Sequence, residues 1–171
     1  MINDKIQDAF NEQINAEIYS SYLYLSMAAY FDSINLKGFA SWMRVQAQEE
    51  LVHSMKFFDY INERGGSVFL KPIAGPPTRW ESPLAAFQEA FRHEQKVTSL
   101  INDLVDLSLQ ERDHASNVFL QWFVTEQVEE ESSADGVVQQ LKLAGEQGGG
   151  LFMIDKELAT RTFAYPPATA A

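Results

Sequence analysis

The stretch GGSVFLKPIAGPPTRWES, residues 65–82, constrains the fold of this chain more than any other segment. It holds three glycines and three prolines, which exclude a helix, yet long helical patterns flank it on both sides. Apolar residues recur at helical spacing over about 4–32 and 36–64 before it, and over about 83–110 and 114–144 after it. The short turns at DSINLKG and ERDH make each flanking pair an antiparallel hairpin. Helices of about 28 residues are about 42 Å long, and a fully extended linker of this size reaches about 60 Å. The linker can therefore run back along the hairpin, which makes the second and third helices parallel. That is an all-α four-helix bundle with one long crossover. Asn3 or Asp4 can cap the first helix, and Ser82 followed by Pro83 the third. Gly145 and Gly148–Gly150 stop the fourth, and LFMIDKELATR predicts a short C-terminal fifth helix over about 150–161. Residues 1–164 thus read as one domain and 165–171 as a loosely held tail.

Each long helix carries a glutamate inside its most apolar stripe. Glu50 shares a face with Phe39, Met43, Phe57 and Ile61, and Glu17 with Phe10, Tyr24, Ala28 and Phe31. Glu94 lines up with Phe87, Phe91 and Ile101, and Glu130 with Phe119, Phe123, Val137 and Leu141. Each lies within about 40° of the centre of its apolar face. The positions are also mirrored about the turns. The midpoint of Glu17 and Glu50 falls at residue 33.5, and that of Glu94 and Glu130 at residue 112. Side by side within each hairpin, the four acids converge when the hairpins pack face to face.

A single glutamate of this kind is ordinarily a solvated residue whose register has been misjudged. Four at matched depth are another matter. Without a counter-charge they would have to protonate or bear several kcal/mol each in desolvation, and no Lys or Arg occupies the stripes. Two divalent cations would balance the four carboxylates, which points to a dinuclear metal site. His53, three residues after Glu50, completes a Glu-x-x-His spacing on one helical face. Carboxylates with imidazole suit iron or manganese better than calcium, although zinc could also enter. Glu49, Glu126 and Glu129 border this set; their spacing fits solvent-facing acids on a charged edge and an auxiliary cation site equally. Gln127 could hydrogen-bond a ligand or bound oxygen species. Tyr24 reads either as a core tyrosine or as a hydrogen-bond or electron donor, and Trp122 as core packing.

Composition narrows the remaining choices. The absence of cysteine excludes disulfides, thiolate zinc sites, Cys-ligated iron–sulfur centres and cysteine nucleophiles. A formal net charge of −11 makes nucleic acid and anionic membranes poor partners and attracts cations. No apolar run approaches the roughly 20 residues of a membrane helix, and MINDKIQDAF lacks the pattern of a secretory signal, so a cytoplasmic protein is expected.

The motifs NAEIYSSYLYLSMAAYF, GFASWMRVQAQEELVHSMKFFDYI and FLQWFVTEQVEEE, with the PP and W of the crossover, resemble the non-haem ferritins of bacteria and archaea along essentially the whole chain. The resemblance implies that Glu17, Glu50 and His53 bind one iron, with Glu50 bridging to a second iron held by Glu94 and Glu130. It implies a third site at Glu49, Glu126, Glu129 and Glu130, a tyrosine beside the centre at Tyr24, and a shell of twenty-four subunits storing ferric mineral. Bacterioferritins differ: they carry a second Glu-x-x-His where this chain has Gln127-Val128-Glu129-Glu130, and a haem-ligating Met where it has Leu51. No haem is expected. The expected function is therefore a ferroxidase that oxidises Fe(II) with dioxygen or peroxide and stores the product. A di-iron oxygenase acting on an organic substrate, and a helical scaffold with no metal chemistry, are the alternatives.

Overall fold

The computed structural model describes residues 1–145 and 148–164; the expected tail at 165–171 lies outside them. The described residues form five helices: α1 (Asp4–Ser33), α2 (Lys37–Glu63), α3 (Pro83–Gln110), α4 (His114–Ala144) and α5 (Gly148–Leu158). Three long helices begin at a cap of their own. Asn3 Oδ1 accepts from the Lys5 amide at 2.8 Å, Ser82 Oγ from Ala85 at 3.1 Å with Pro83 at the first turn, and Asp113 Oδ1 from Ser116 at 3.1 Å. Each such cap contributes about 1 kcal/mol. The fourth, α2, has no side-chain cap at Leu36. Asp155 of α5 supplies it from a distance, its Oδ1 accepting from the Gly38 and Phe39 amides at 2.7 and 3.1 Å. A carboxylate there also complements the positive end of the helix dipole. The α1–α2 turn places Asn35 at φ 61°, a conformation asparagine tolerates better than most residues.

The crossover is long, and α1 holds it along its length. Asn11 Nδ2 donates to the Ser67 carbonyl at 3.1 Å while its Oδ1 accepts from the Phe69 amide at 2.7 Å. Asn15 Nδ2 donates to the Lys71 and Pro72 carbonyls, and Ser26 Oγ to that of Pro77. Linker and helix numbers rise together, so the linker runs parallel to α1 and antiparallel to α2. It delivers Pro83 to the end of the bundle where α2 began, and α2 and α3 therefore descend in parallel. Side-chain amides satisfy backbone groups that have no ladder of their own.

Two apolar clusters fill the bundle. The upper one joins Met27, Phe31, Phe39, Met43, Phe87 and Leu141; the lower one joins Phe10, Phe57, Ile61, Ile101, Leu120 and Phe123. Phe57 stacks on Phe123 with ring centroids 4.3 Å apart and meets the edge of Phe10 at 5.0 Å. Between these clusters each of the four long helices turns buried polar residues inward.

The fifth helix starts inside the glycine triplet and ends at Leu158, earlier than the apolar pattern suggests. Tight i to i−3 bonds close it, from Thr160 N to Glu157 O and from Arg161 N to Leu158 O. α5 packs against the start of α2 so closely that a Cβ on Gly38 would sit 1.6 Å from the Asp155 carbonyl oxygen. Within a helix, Gly→Ala ordinarily stabilises by about 0.5–1 kcal/mol. Gly38→Ala is expected to do the opposite, expelling α5 while leaving the four-helix bundle helical. Limited proteolysis read by mass spectrometry should cut the variant near residues 145–160 much faster than wild type; equal rates would contradict this packing.

Candidate metal centre

Between the apolar clusters, all four long helices turn acids inward. Glu17, Glu50, Glu94 and Glu130 are 1%, 2%, 2% and 5% exposed, and His53 and Gln127 are equally buried. Ligand atoms of Glu17, Glu50 and His53 lie within 4.8 Å of one another, and so do those of His53, Glu126 and Glu130. The imidazole links the two groups. Its Nδ1 is 3.4 Å from Glu50 Oε2 and its Nε2 3.9 Å from Glu126 Oε1. Glu94 belongs to neither three-ligand group found among the described residues; its carboxylate meets the Tyr24 hydroxyl and, at 3.2 Å, the Gln127 amide.

Neutral donors surround these acids. Gln13 Nε2 donates to Glu17 Oε1 at 2.8 Å. Gln46 Nε2 donates to Glu50 Oε1 at 3.0 Å and to Glu130 Oε2 at 2.7 Å, which joins α2 to α4 across the layer. Amides hydrogen-bond carboxylates but carry no charge to offset theirs. Among the described residues no lysine or arginine is buried, and Glu17 Oε2, wholly buried, has no hydrogen-bond partner.

The electrostatic result is a layer reluctant to ionise. Burial, reinforced by Glu50, pushes Glu17 up to about 8. Burial, with Glu130 adding to it, pushes Glu94 up to about 8. Glu50 is raised well above the ordinary carboxylate value by burial, then by Glu94 and Glu130. The Tyr24 hydroxyl is raised by burial and by the Glu94 carboxylate beside it. An orphaned buried oxygen, an uncompensated acid set and one imidazole fit a pair of hard divalent cations, whose binding would displace the protons.

The bordering candidates divide. Glu126 is half-buried beside His53 and raised by its burial. Glu49 is half-buried, pushed up to about 7 by burial, and paired with Arg161 at 2.5 Å. Glu129 is exposed and lies outside both groups. Trp122 meets the His53 ring edge-on at 5.4 Å and carries the Lys56 ammonium 4.1 Å above its face. Gln13, Gln46 and Arg161 were not anticipated from the sequence. A signal existed for the first two, since each glutamine lies one helical turn before an inward glutamate. Arg161 comes from a different helix end and offers no such spacing.

Fold and site together define a class: an all-α four-helix bundle with a buried carboxylate–imidazole layer able to bind metal. A family model, described as the ferritin-like domain, matches residues 7–144. A bacterial non-heme ferritin of Bacteroides fragilis is 47% identical over 161 residues, covering 94% of this chain and 100% of that protein. One from Escherichia coli is 38% identical over 160 residues, covering 94% and 97%. An Archaeoglobus fulgidus ferritin engineered into a closed form superposes with a TM-score of 0.95 at 57% identity, covering 96% of this chain and 100% of that one. The open pore ferritin of the same organism gives 0.94 at 57%, covering 95% and 99%. The chain belongs to the ferritin family.

Native carboxyls titrating near 8 keep protons that the unfolded chain, near 4.5, has already lost. Stability of the metal-free protein should therefore fall as pH rises from about 5 to about 8.5, by several kcal/mol in all. Denaturant midpoints across that range test this, and added Mn(II) should restore stability most at the upper end, where fewest protons must leave. A flat metal-free profile would contradict the buried acid layer.

Proposed function

We propose that this iron-storage protein is a ferroxidase, with Fe(II) as its substrate and a dinuclear site within each bundle. Glu17, Glu50 and His53 receive one ion; Glu94 and Glu130 receive the second, with Glu50 shared between them. Each Fe(II) gives up one electron, and dioxygen or peroxide takes both together with protons. Hard anionic oxygen ligands stabilise Fe(III) more than Fe(II), which favours the oxidation. Carboxyls that hold protons in the empty site release them when Fe(II) enters, so binding and proton loss are coupled. Tyr24 and Gln127 donate to Glu94 from opposite sides and orient the carboxylate between them.

One observation carries this reading. Four buried carboxylates and an imidazole meet in one layer, and no lysine or arginine among the described residues is buried. Kinship with ferritins supports the release of Fe(III) for storage as mineral, a shell of twenty-four subunits, and a cytoplasmic location. The exposed apolar residues on the outer faces of α1 and α2, Tyr22, Leu25, Leu51 and Met55, support burial against further copies. Glu49, Glu126, Glu129 and Glu130 are assigned to a third iron. Glu129 would have to turn inward to join it, because it is exposed in the metal-free arrangement.

Anaerobic Fe(II) titration followed by air should give rapid oxidation that saturates near two irons per subunit, on a particle far larger than the 19.4 kDa chain. Glu50→Ala and Glu130→Ala should each slow that phase by about 100-fold or more, as expected when a ligand to both ions or to the second ion is lost. A variant as fast as wild type would contradict the assignment of the mutated residue.

A further inference from the structure

Three contacts carry the end of the chain down the side of α2 toward the acid layer. Asp155 caps the start of α2 at Gly38 and Phe39. Two turns further along, Arg161 lies over the Trp42 ring at 4.3 Å and bonds both Gln46 and Glu49. Beyond it, Phe163 and Ala164 close a cavity of about 70 Å3 whose other walls include Glu49, His53, Trp122 and Glu126.

The Arg161 contacts have a direction. Its Nη1 donates to Gln46 Oε1 at 2.7 Å and its Nη2 to Glu49 Oε2 at 2.5 Å. With its carbonyl held by the guanidinium, the Gln46 amide presents its NH2 to Glu50 and Glu130. The opposite rotamer would aim a carbonyl at two carboxylates and leave Arg161 facing an NH2, losing bonds on both sides. Glu49, which lines the cavity, is likewise turned toward Arg161, and the guanidinium offsets the charge that a cation there would draw on. The bonds are charge-assisted and partly buried, the setting in which such bonds are strongest.

We propose that Arg161 is the built-in counter-cation of the pocket beside the two-metal site: it holds Gln46 in the rotamer that orients Glu50 and Glu130, and it withholds Glu49 from a third metal ion until that ion displaces it. The inference rests on the function proposed above and adds a residue from α5's end to it. The last described residues of the chain thereby regulate how many ions a subunit binds.

Anaerobic Co(II) titration of the assembled full-length protein, followed by calorimetry and visible absorption, tests it. Wild type should bind two Co(II) per subunit tightly and a third weakly. Arg161→Gln should tighten the third ion by about tenfold or more, since a charge-assisted competitor is gone, while the first two weaken slightly as Gln46 loses the bond that sets its rotamer. Adding Glu49→Gln to that variant should cancel the gain. Loss of a merely structural residue would weaken binding, so a gain separates the two roles. Should Arg161→Gln fail to assemble, Arg161→Lys keeps the charge but lacks the planar fork that reaches Gln46 and Glu49 through separate nitrogens, and should tighten the third ion about threefold. Variants whose third ion is no tighter than in wild type, alongside a wild type that binds the pair, would overturn the role of Arg161 alone. A wild type that binds no pair would overturn the proposed function and this inference with it.

Discussion

Like charge concentrated away from water is the constraint on which this structure depends. Four glutamates in one buried layer repel one another and lose their hydration, and the described residues bury no ammonium or guanidinium to compensate. The helices tolerate them because the apolar clusters above and below are large and interlocked, with Phe57, Phe123 and Phe10 beneath the layer and Phe31, Phe39 and Phe87 above it. In the metal-free protein, protonation relieves the repulsion, which is why Glu17 and Glu94 are pushed up to about 8. Metal ions, in the function proposed above, would relieve it better, at the usual exchange of local stability for function.

Neutral amides then set geometry where charge cannot. Gln13, Gln46 and Gln127 each approach a different carboxylate, and Gln46 alone reaches two helices. Such donors hold ligands in place without competing for the metal. The same logic extends outward to α5, which meets α2 through the Asp155 carboxylate near its C-terminal end and the Arg161 guanidinium just past that end.

Much of this was legible in the residues themselves. The glycines and prolines of 65–82 and the spacing of Glu17, Glu50, Glu94 and Glu130 expose both the crossover and the convergence, because periodicity reports which face turns inward. The sequence is silent where partners are far apart along the chain. Asp155 bonds the Gly38 amide of α2 across 117 residues, and Arg161 reaches Gln46 across 115. Gln46 itself escapes notice because a buried amide breaks an apolar stripe no more than a register error would. Glu129 shows the opposite difficulty: adjacency to Glu130 makes it attractive, yet a one-residue step turns it about 100° away, into solvent.

A pair of divalent cations is the counter-charge that the acid layer, protonated without them, is proposed to take. Anomalous diffraction at the iron edge, from crystals soaked anaerobically in Fe(II), tests it most directly. Two iron peaks per subunit, roughly 3.5–4 Å apart and lying inside the bundle among Glu17, Glu50, His53, Glu94 and Glu130, are the predicted result. Iron found only at exposed carboxylates, with the layer free of metal, would contradict the account.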